Sequence, residues 1–260
     1  MIEMNVKIIK KDTLSSDEIK YFIEYLNEKK IEVVDDISLA DVLITFGGDG
    51  TLLSTVEYLR IKNIPVFSIN YGSIGYMTKI SSKNAITSFE KYINGEYKID
   101  HRKFLEVSFK NKIYYGLNEL SILKFAINSE LINVRVEQDE KLINVYKADG
   151  IIVSTPTGST AYSLSAGGPI LDPSLDAICI TPLASQSLTA RSIVINGNNT
   201  LKFSAFGRSE YVGLNIDGNL HFKLYPEDVV YAKLSDMGID LIYVDNLNYY
   251  NILKQKLHWT

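Results

Sequence analysis

The 260-residue chain is long enough for one large domain or two ordinary ones with a substantial core. Apolar residues make up 46% and charged residues 22%, the balance of a globular protein, which excludes a disordered chain. Lys+Arg 27 against Asp+Glu 31 gives a net charge of −4 without a basic cluster, so nothing points to nucleic acid, and an anionic ligand must be held by local donors.

A strand-like run over 6–9 opens the chain with no apolar signal core, and no stretch reaches the length of a membrane span, so a cytoplasmic protein is expected. Ser15-Ser16-Asp17-Glu18 is a helix start, with Ile19, Phe22, Ile23 and Leu26 on one face. Strands are predicted over 31–34 and 41–46. The second of these feeds Gly47-Gly48-Asp49-Gly50-Thr51, and Leu52, Leu53, Val56 and Leu59 follow at helical spacing to about residue 62. Glycines at 47, 48 and 50 are expected to permit positive φ and close approach of a ligand, while the N–H groups opening the helix favour an anion. A carboxylate in such a turn is repelled by phosphate unless it accepts a proton or holds a metal or a sugar hydroxyl. An ordinary β-turn is the plain alternative.

A further strand, 64–69, ends in Asn70-Tyr71-Gly72-Ser73-Ile74-Gly75-Tyr76, and a helix over about 83–94 stops at Gly95. Alternating strand and helix imply a parallel sheet, with both glycine loops at carboxyl ends of strands, where ligands bind. From about Tyr97 the pattern becomes period two. Leu105, Val107 and Phe109 alternate with polar residues, as do Ile132, Val134 and Val136; Val212, Leu214 and Ile216 answer Leu220, Phe222 and Leu224 across Asp217-Gly218-Asn219. The expected fold is an α/β domain (1–96) with a parallel sheet, a β-rich, antiparallel, sandwich-like domain (97–237), and a tail (about 238–260) returning to the first.

The stretch from Asp149 to Pro169 is dense in Ser, Thr and Gly behind an apolar strand, 151–153. Its hydroxyls and amides suit a sugar or nucleotide, although a plain polar loop has a similar composition. Asn118-Glu119 offers donors and strong acceptors together, as an adenine edge and a ribose diol require, or is solvated turn polarity. Lys147 and Arg191 lie beside these stretches as phosphate-facing cations or surface charges. His101, His221 and His258 are scattered and read as surface or packing residues. The single cysteine, Cys179, sits between Ile178 and Ile180 and reads as core; it excludes an internal disulfide and a Cys-based zinc site. The P-loop, G-x-G-x-x-G, H-E-x-x-H and G-x-S-x-G patterns are all missing.

In order and spacing, Gly47-Gly48-Asp49-Gly50-Thr51, Asn70-x-Gly72-x-x-Gly75-Tyr76, Asn118-Glu119, Asp149-Gly150, Thr155 to Ser163 and Gly167-Gly168-Pro169 resemble the motifs of the ATP-dependent NAD kinases, over nearly the whole chain. The first motif is shared with 6-phosphofructokinases and diacylglycerol kinases, whereas Thr155 to Ser163 is specific. The resemblance implies Mg²⁺-dependent transfer of the γ-phosphoryl group of ATP to the 2′-hydroxyl of the adenosine ribose of NAD. Asp49 would be the general base, and Gly47, Gly48, Gly50, Thr51, Asn70 and Gly72 would line the phosphate side. The resemblance gives contacts to NAD to Gly50, Tyr76, Asn118, Glu119, Lys147, Asp149, Thr157, Thr160, Ala161, Tyr162, Ser165, Ala184 and Gln186. Lys147 replaces a common Arg, and Gln186 and Ser192 replace a family His and Pro. Magnesium would be held mainly through ATP, and family members form dimers or tetramers whose β-rich domains complete each other's pockets. A non-catalytic NAD(P)-binding regulator, or a lipid or sugar kinase sharing the first motif, are the alternatives.

Overall fold

A computed structural model describes residues 4–125, 130–245 and 248–259. The outer ends of the expected first domain and its tail, residues 1–3 and 260, lie outside the described residues. The chain divides into two compact units, Met1–His101 with Ile239–Thr260, and Arg102–Gly238.

The first unit runs β1 (Asn5–Lys10), α1 (Ser16–Glu28), β2 (Glu32–Val33), β3 (Val42–Gly47), α2 (Asp49–Leu53), α3 (Val56–Leu59), β4 (Val66–Asn70), β5 (Ile80–Ser81) and α4 (Ala85–Ile93). Ser15 caps α1 with a reciprocal box: the Glu18 N–H donates to Ser15 Oγ at 3.3 Å, and the Ser15 N–H to Glu18 Oε2 at 2.7 Å. The strands pair in parallel, β1 with β2 and β3, and β3 with β4. With a parallel neighbour on each edge, every residue of β3 is buried, which is why it reads as a continuous apolar run. Phe22, Phe46, Phe67 and Phe89 meet edge-on at centroid distances of 5.1–5.4 Å and tie the two central strands to α1 and α4. Gly95, at φ +80°, ends the segment after α4.

Two expectations need correction here. The helix after the glycine turn is two short pieces, because Ser54 Oγ and Thr55 Oγ1 donate back to the Thr51 and Leu52 carbonyls, both at 2.7 Å, and interrupt the ladder. Gly47, Gly48 and Gly50 do not take positive φ; Gly48, the cap of α2, sits at −111°.

The second unit carries most of β6 (Lys98–Phe109), then β7 (Lys112–Gly116), β8 (Glu119–Leu123), β9 (Ile132–Gln138), β10 (Lys141–Ala148), β11 (Gly150–Ser154), α5 (Tyr162–Ser165), β12 (Ala177–Leu183), β13 (Ile193–Asn196), β14 (Leu201–Phe206), β15 (Val212–Ile216), β16 (Leu220–Leu224) and the first part of β17 (Val230–Tyr243). One antiparallel sheet has the order β13-β12-β11-β8-β15-β16, and β10, β9, β14 and β17 pair side by side in another. Inward residues of both, among them Val134, Phe203, Ile151, Ile180 and Leu214, form one core between the layers. The β15–β16 hairpin has the register legible in the sequence, with Val212, Leu214 and Ile216 opposite Leu224, Phe222 and Leu220. Cys179 is fully buried, and burial pushes its thiol pKa up.

The end of the chain belongs to the first unit. Leu241 of β17 pairs in parallel with Val66 of β4, and α6 (Tyr249–Leu257) follows, capped by the Asn248 side chain.

Candidate functional site

In the first unit, β3 delivers Gly47 and Gly48 to the head of α2, and Asp49 is the first residue of that helix. Its carboxylate turns towards the loop after β4. Tyr76 N–H donates to Oδ2 at 2.8 Å; Met77 N–H, Thr78 N–H and Thr78 Oγ1 donate to Oδ1 at 3.2, 3.0 and 3.0 Å. The loop itself is ordered by Asn70, whose Oδ1 accepts from the Gly72 N–H at 2.7 Å. Its Nδ2 lies 2.9–3.0 Å from the Ser73 carbonyl, the Thr78 carbonyl and Thr78 Oγ1. The Asn70 amide and the Gly72 N–H, given to the phosphate side by resemblance, are thus engaged inside their own loop.

The glycines divide by what a side chain would meet. A Cβ on Gly47 would stand 2.1 Å from Thr51 Oγ1, and one on Gly75 would stand 2.2 Å from Asp49 Oδ1; Gly48 and Gly50 face open space. A cavity of about 340 Å³ borders Asp49 and is lined by Lys11, Gly47, Gly48, Gly72, Gly75 and Lys256. A second, of about 570 Å³, reaches Lys10, Lys11, Gly48, Gly50, Thr51 and Tyr58. Two open glycines at a helix start, with lysines at the rim, suit a polyphosphate. Tyr76 is half-buried; burial first, and then the Asp49 charge, raise its phenol pKa.

In the second unit, Asn118 and Glu119 stand at the head of β8. The Leu117, Asn118 and Glu119 N–H groups all donate to the Asp217 carboxylate, at 2.6, 2.8 and 3.0 Å. The hydroxyl-rich loop packs on the same place: Thr155 N–H donates to the Asn118 carbonyl at 2.9 Å, and Thr155 Oγ1 to the Leu117 carbonyl at 2.7 Å. A Cβ on Gly158 would come within 2.0 Å of the Asn118 carbonyl oxygen. Thr157 is buried, Thr160 and Ala161 half-buried, and Tyr162 and Ser165 exposed. Glu119 is 9% exposed and its Oε2 is buried with no hydrogen-bond partner among the described residues. Burial, and then the Asp217 charge, lift its pKa from 4.5 to about 7, against the pull of the Tyr162 N–H. Burial also raises that of Asp217, whose three backbone donors oppose the shift.

Lys147, Asp149, Ala184 and Gln186 lie elsewhere in this unit. Asp149 N–H donates to the Leu183 carbonyl at 3.0 Å, Gln186 N–H to the Lys147 carbonyl at 2.9 Å, and Asp149 is ion-paired with Lys124 at 2.7 Å. Ala184 sits at φ +47°, an uncommon backbone state for alanine. This group stands at the start of β11 and the hydroxyl-rich loop at its end, so the length of a five-residue strand, about 17 Å, separates them. Arg191 donates to the Leu188 and Ala190 carbonyls. His101 is paired with Asp240 at 2.6 Å and His221 with Asn215 at 2.7 Å.

Thr78 and Asp217 escape a reading of the sequence. The first has no signal beyond following a glycine loop, and the second reads as a turn residue in Asp-Gly. Lys256 was equally silent, since only the fold brings the last helix to the cavity beside Asp49.

Comparison with solved structures defines the class first. Yeast NADH kinase complexed with NADH superimposes with a TM-score of 0.87 at 26% identity, covering 98% of this chain and 87% of that one. An NAD kinase from Archaeoglobus fulgidus in complex with ATP gives 0.83 at 23% identity, covering 99% of this chain and all of that one, and shows the same fold. The sequence then narrows the class to a family. The ATP-NAD kinase N-terminal domain matches residues 6–97 and the ATP-NAD kinase C-terminal domain residues 117–244. An NAD kinase of Fusobacterium nucleatum is 39% identical over 243 residues, 92% of this chain and 91% of that protein. The chain belongs to the ATP-NAD kinase family.

Proposed function

We propose that this protein transfers the γ-phosphoryl group of ATP to the 2′-hydroxyl of the adenosine ribose of NAD, giving NADP and ADP. The observation that carries the reading is the Asp49 carboxylate, fixed at the edge of a glycine turn and a cavity able to take phosphates. A protein that merely bound a nucleotide would gain nothing from a carboxylate beside phosphate. In this reading Asp49 accepts the proton of the attacking hydroxyl, the open faces of Gly48 and Gly50 admit the triphosphate, and Thr51, Gly47 and Gly72 shape the turn and loop around it.

Asn118 and Glu119 hold adenine and ribose, with Thr157, Thr160, Ala161, Tyr162 and Ser165 of the same unit, and the first unit contributes Tyr76 and Gly50 as its own contacts to NAD. A protonated Glu119 would donate a hydrogen bond where its carboxylate would only accept, which suits a ribose hydroxyl. Lys147, Asp149, Ala184 and Gln186 serve the nicotinamide side. Their distance from Asn118 along β11 favours a homo-oligomer, a dimer or a tetramer, in which this group attends a neighbouring subunit's dinucleotide.

Among the described residues no group of three or more His, Cys, Asp or Glu is gathered for a metal. With Asp49 as the one carboxylate among the described residues at the cavity it borders, Mg²⁺ would be carried in with ATP and would supply neutralisation of the charge that develops on the phosphates. Among the described residues no helix is long and apolar enough to cross a membrane, and a cytoplasmic enzyme fits the substrates proposed. Purified protein given ATP, Mg²⁺ and NAD should yield NADP. Sustained binding of NAD with no NADP formed would overturn the proposal.

A further inference from the structure

The Asp49 carboxylate is held asymmetrically. Oδ1 takes three donors, Met77 N–H, Thr78 N–H and Thr78 Oγ1, whereas among the described residues Oδ2 takes one, the Tyr76 N–H at 2.8 Å. A carboxylate oxygen offers about two lone-pair sites, so Oδ1 is saturated and Oδ2 keeps one for a further proton donor. The direction of the Thr78 hydroxyl follows from its neighbours. Asn70 Oδ1 accepts from the Gly72 N–H, which orients the amide and leaves Nδ2, a donor only, 3.0 Å from Thr78 Oγ1. With a donor on one side and an acceptor-only carboxylate on the other, the hydroxyl hydrogen points at Asp49. Thr78 is fully buried and Asn70 nearly so, which shields this relay from water.

We infer that Thr78 is the positioning residue of Asp49: its hydroxyl, oriented by Asn70, locks Oδ1 and leaves Oδ2 as the oxygen that takes the substrate proton. The inference rests on the reaction proposed above. In that step the ribose 2′-oxygen bonds to the γ-phosphorus, the bond from that phosphorus to the β–γ bridging oxygen breaks, ADP leaves with its electron pair, and the 2′-hydroxyl proton passes to Asp49 Oδ2. A carboxylate that can rock about its Cβ–Cγ bond presents Oδ2 in a productive place for less of the time. Small misplacements of this kind lower turnover without weakening binding.

Steady-state kinetics of Thr78→Val and Thr78→Ser test the assignment. Valine keeps the shape and the main-chain N–H but lacks the hydroxyl; serine keeps both donors. Thr78→Val should lose roughly ten- to a hundredfold in kcat, with KM for NAD and for ATP within about twofold of wild type. Thr78→Ser should recover most of the loss, which a merely structural role would not require. Thermal melting checks that each variant folds, and Thr78→Ala replaces valine if the added methyl group prevents folding. Wild-type kcat in Thr78→Val or Thr78→Ala, a serine variant as slow as valine, or a loss confined to KM would overturn the inference. Wild-type protein that makes no NADP would instead overturn the proposed reaction.

Discussion

Asp217 clasps the main chain of Glu119 from both sides, with its own N–H and with its carboxylate. The Asp217 N–H donates to the Glu119 carbonyl at 2.9 Å while the Glu119 N–H donates to Asp217 Oδ1 at 3.0 Å. Because the same carboxylate also accepts from Leu117 and Asn118, one turn residue of the β15–β16 hairpin fixes the entry to β8, where the adenine-side pair is proposed to act.

Asp217→Asn should loosen that entry without straining the turn. Asparagine tolerates the left-handed φ of +49° as aspartate does, but its amide presents N–H to one of the three backbone donors. An unsatisfied N–H costs about 1–3 kcal/mol, and the melting temperature should fall by about 2–10 °C. KM for NAD should rise several-fold, with KM for ATP near the wild-type value. Calorimetry and kinetics on the same sample decide it, and an unchanged KM for NAD would separate Asp217 from the dinucleotide.

Glu119 makes stability depend on pH. Its folded pKa of about 7 lies above the ordinary 4.5, so the folded state holds a proton that the unfolded state releases between those values. The stabilisation is therefore complete below about pH 4.5 and is lost as pH rises through about 7, a change of up to about 3 kcal/mol. Glu119→Gln cannot titrate and should flatten this part of the profile. Urea midpoints at pH 5 and pH 8 for both proteins measure the difference, and parallel profiles would rule out a raised pKa at this site.

The glycines of the first unit should fall into two classes. Alanine at 47 or 75 places a Cβ 2.1–2.2 Å from Thr51 Oγ1 or Asp49 Oδ1 and should destabilise by about 1–3 kcal/mol. Alanine at 48 or 50 meets nothing within 4 Å. Those two variants should fold at least as stably as wild type and raise KM for ATP, because only a bound phosphate would meet the methyl group. Gly48→Ala and Gly50→Ala with ordinary ATP kinetics would take the triphosphate away from this face.

Asp49→Asn should keep its fold and lose turnover. Its Oδ1 can still accept three donors, and only the Tyr76 N–H faces an amide nitrogen in place of Oδ2, a stability cost of about 1–3 kcal/mol. Removing the proton acceptor should lower kcat by roughly a hundred- to ten-thousandfold. Single-turnover mixing of enzyme, ATP and NAD would reveal it, and NADP formed at the wild-type rate would dismiss Asp49 as the base.

Local rules carried much of the fold. The Ser15–Glu18 box, the buried run of β3 and the two-residue alternation of β15 and β16 each depend on near neighbours, and each is present as read. The helix after the turn reads as continuous because apolar spacing runs on through Ser54 and Thr55, whose hydroxyls compete for the carbonyls and break it. The candidate site residues stand out in the sequence as motifs, and the geometry around them does not. The Asp49 to Thr78 bond spans 29 residues and the Asp217 to Glu119 bond 98, so neither leaves a pattern in a local window.

Three of the four donors that hold Asp49 are main-chain N–H groups, supplied by residues 76, 77 and 78. Every amino acid except proline carries such a group, so side-chain replacement at 76 or 77 leaves this tether in place. What this tether asks of the stretch is a length more than a composition, with the Thr78 hydroxyl as the one side chain that joins it. A single insertion or deletion would misalign the whole row of amides at once.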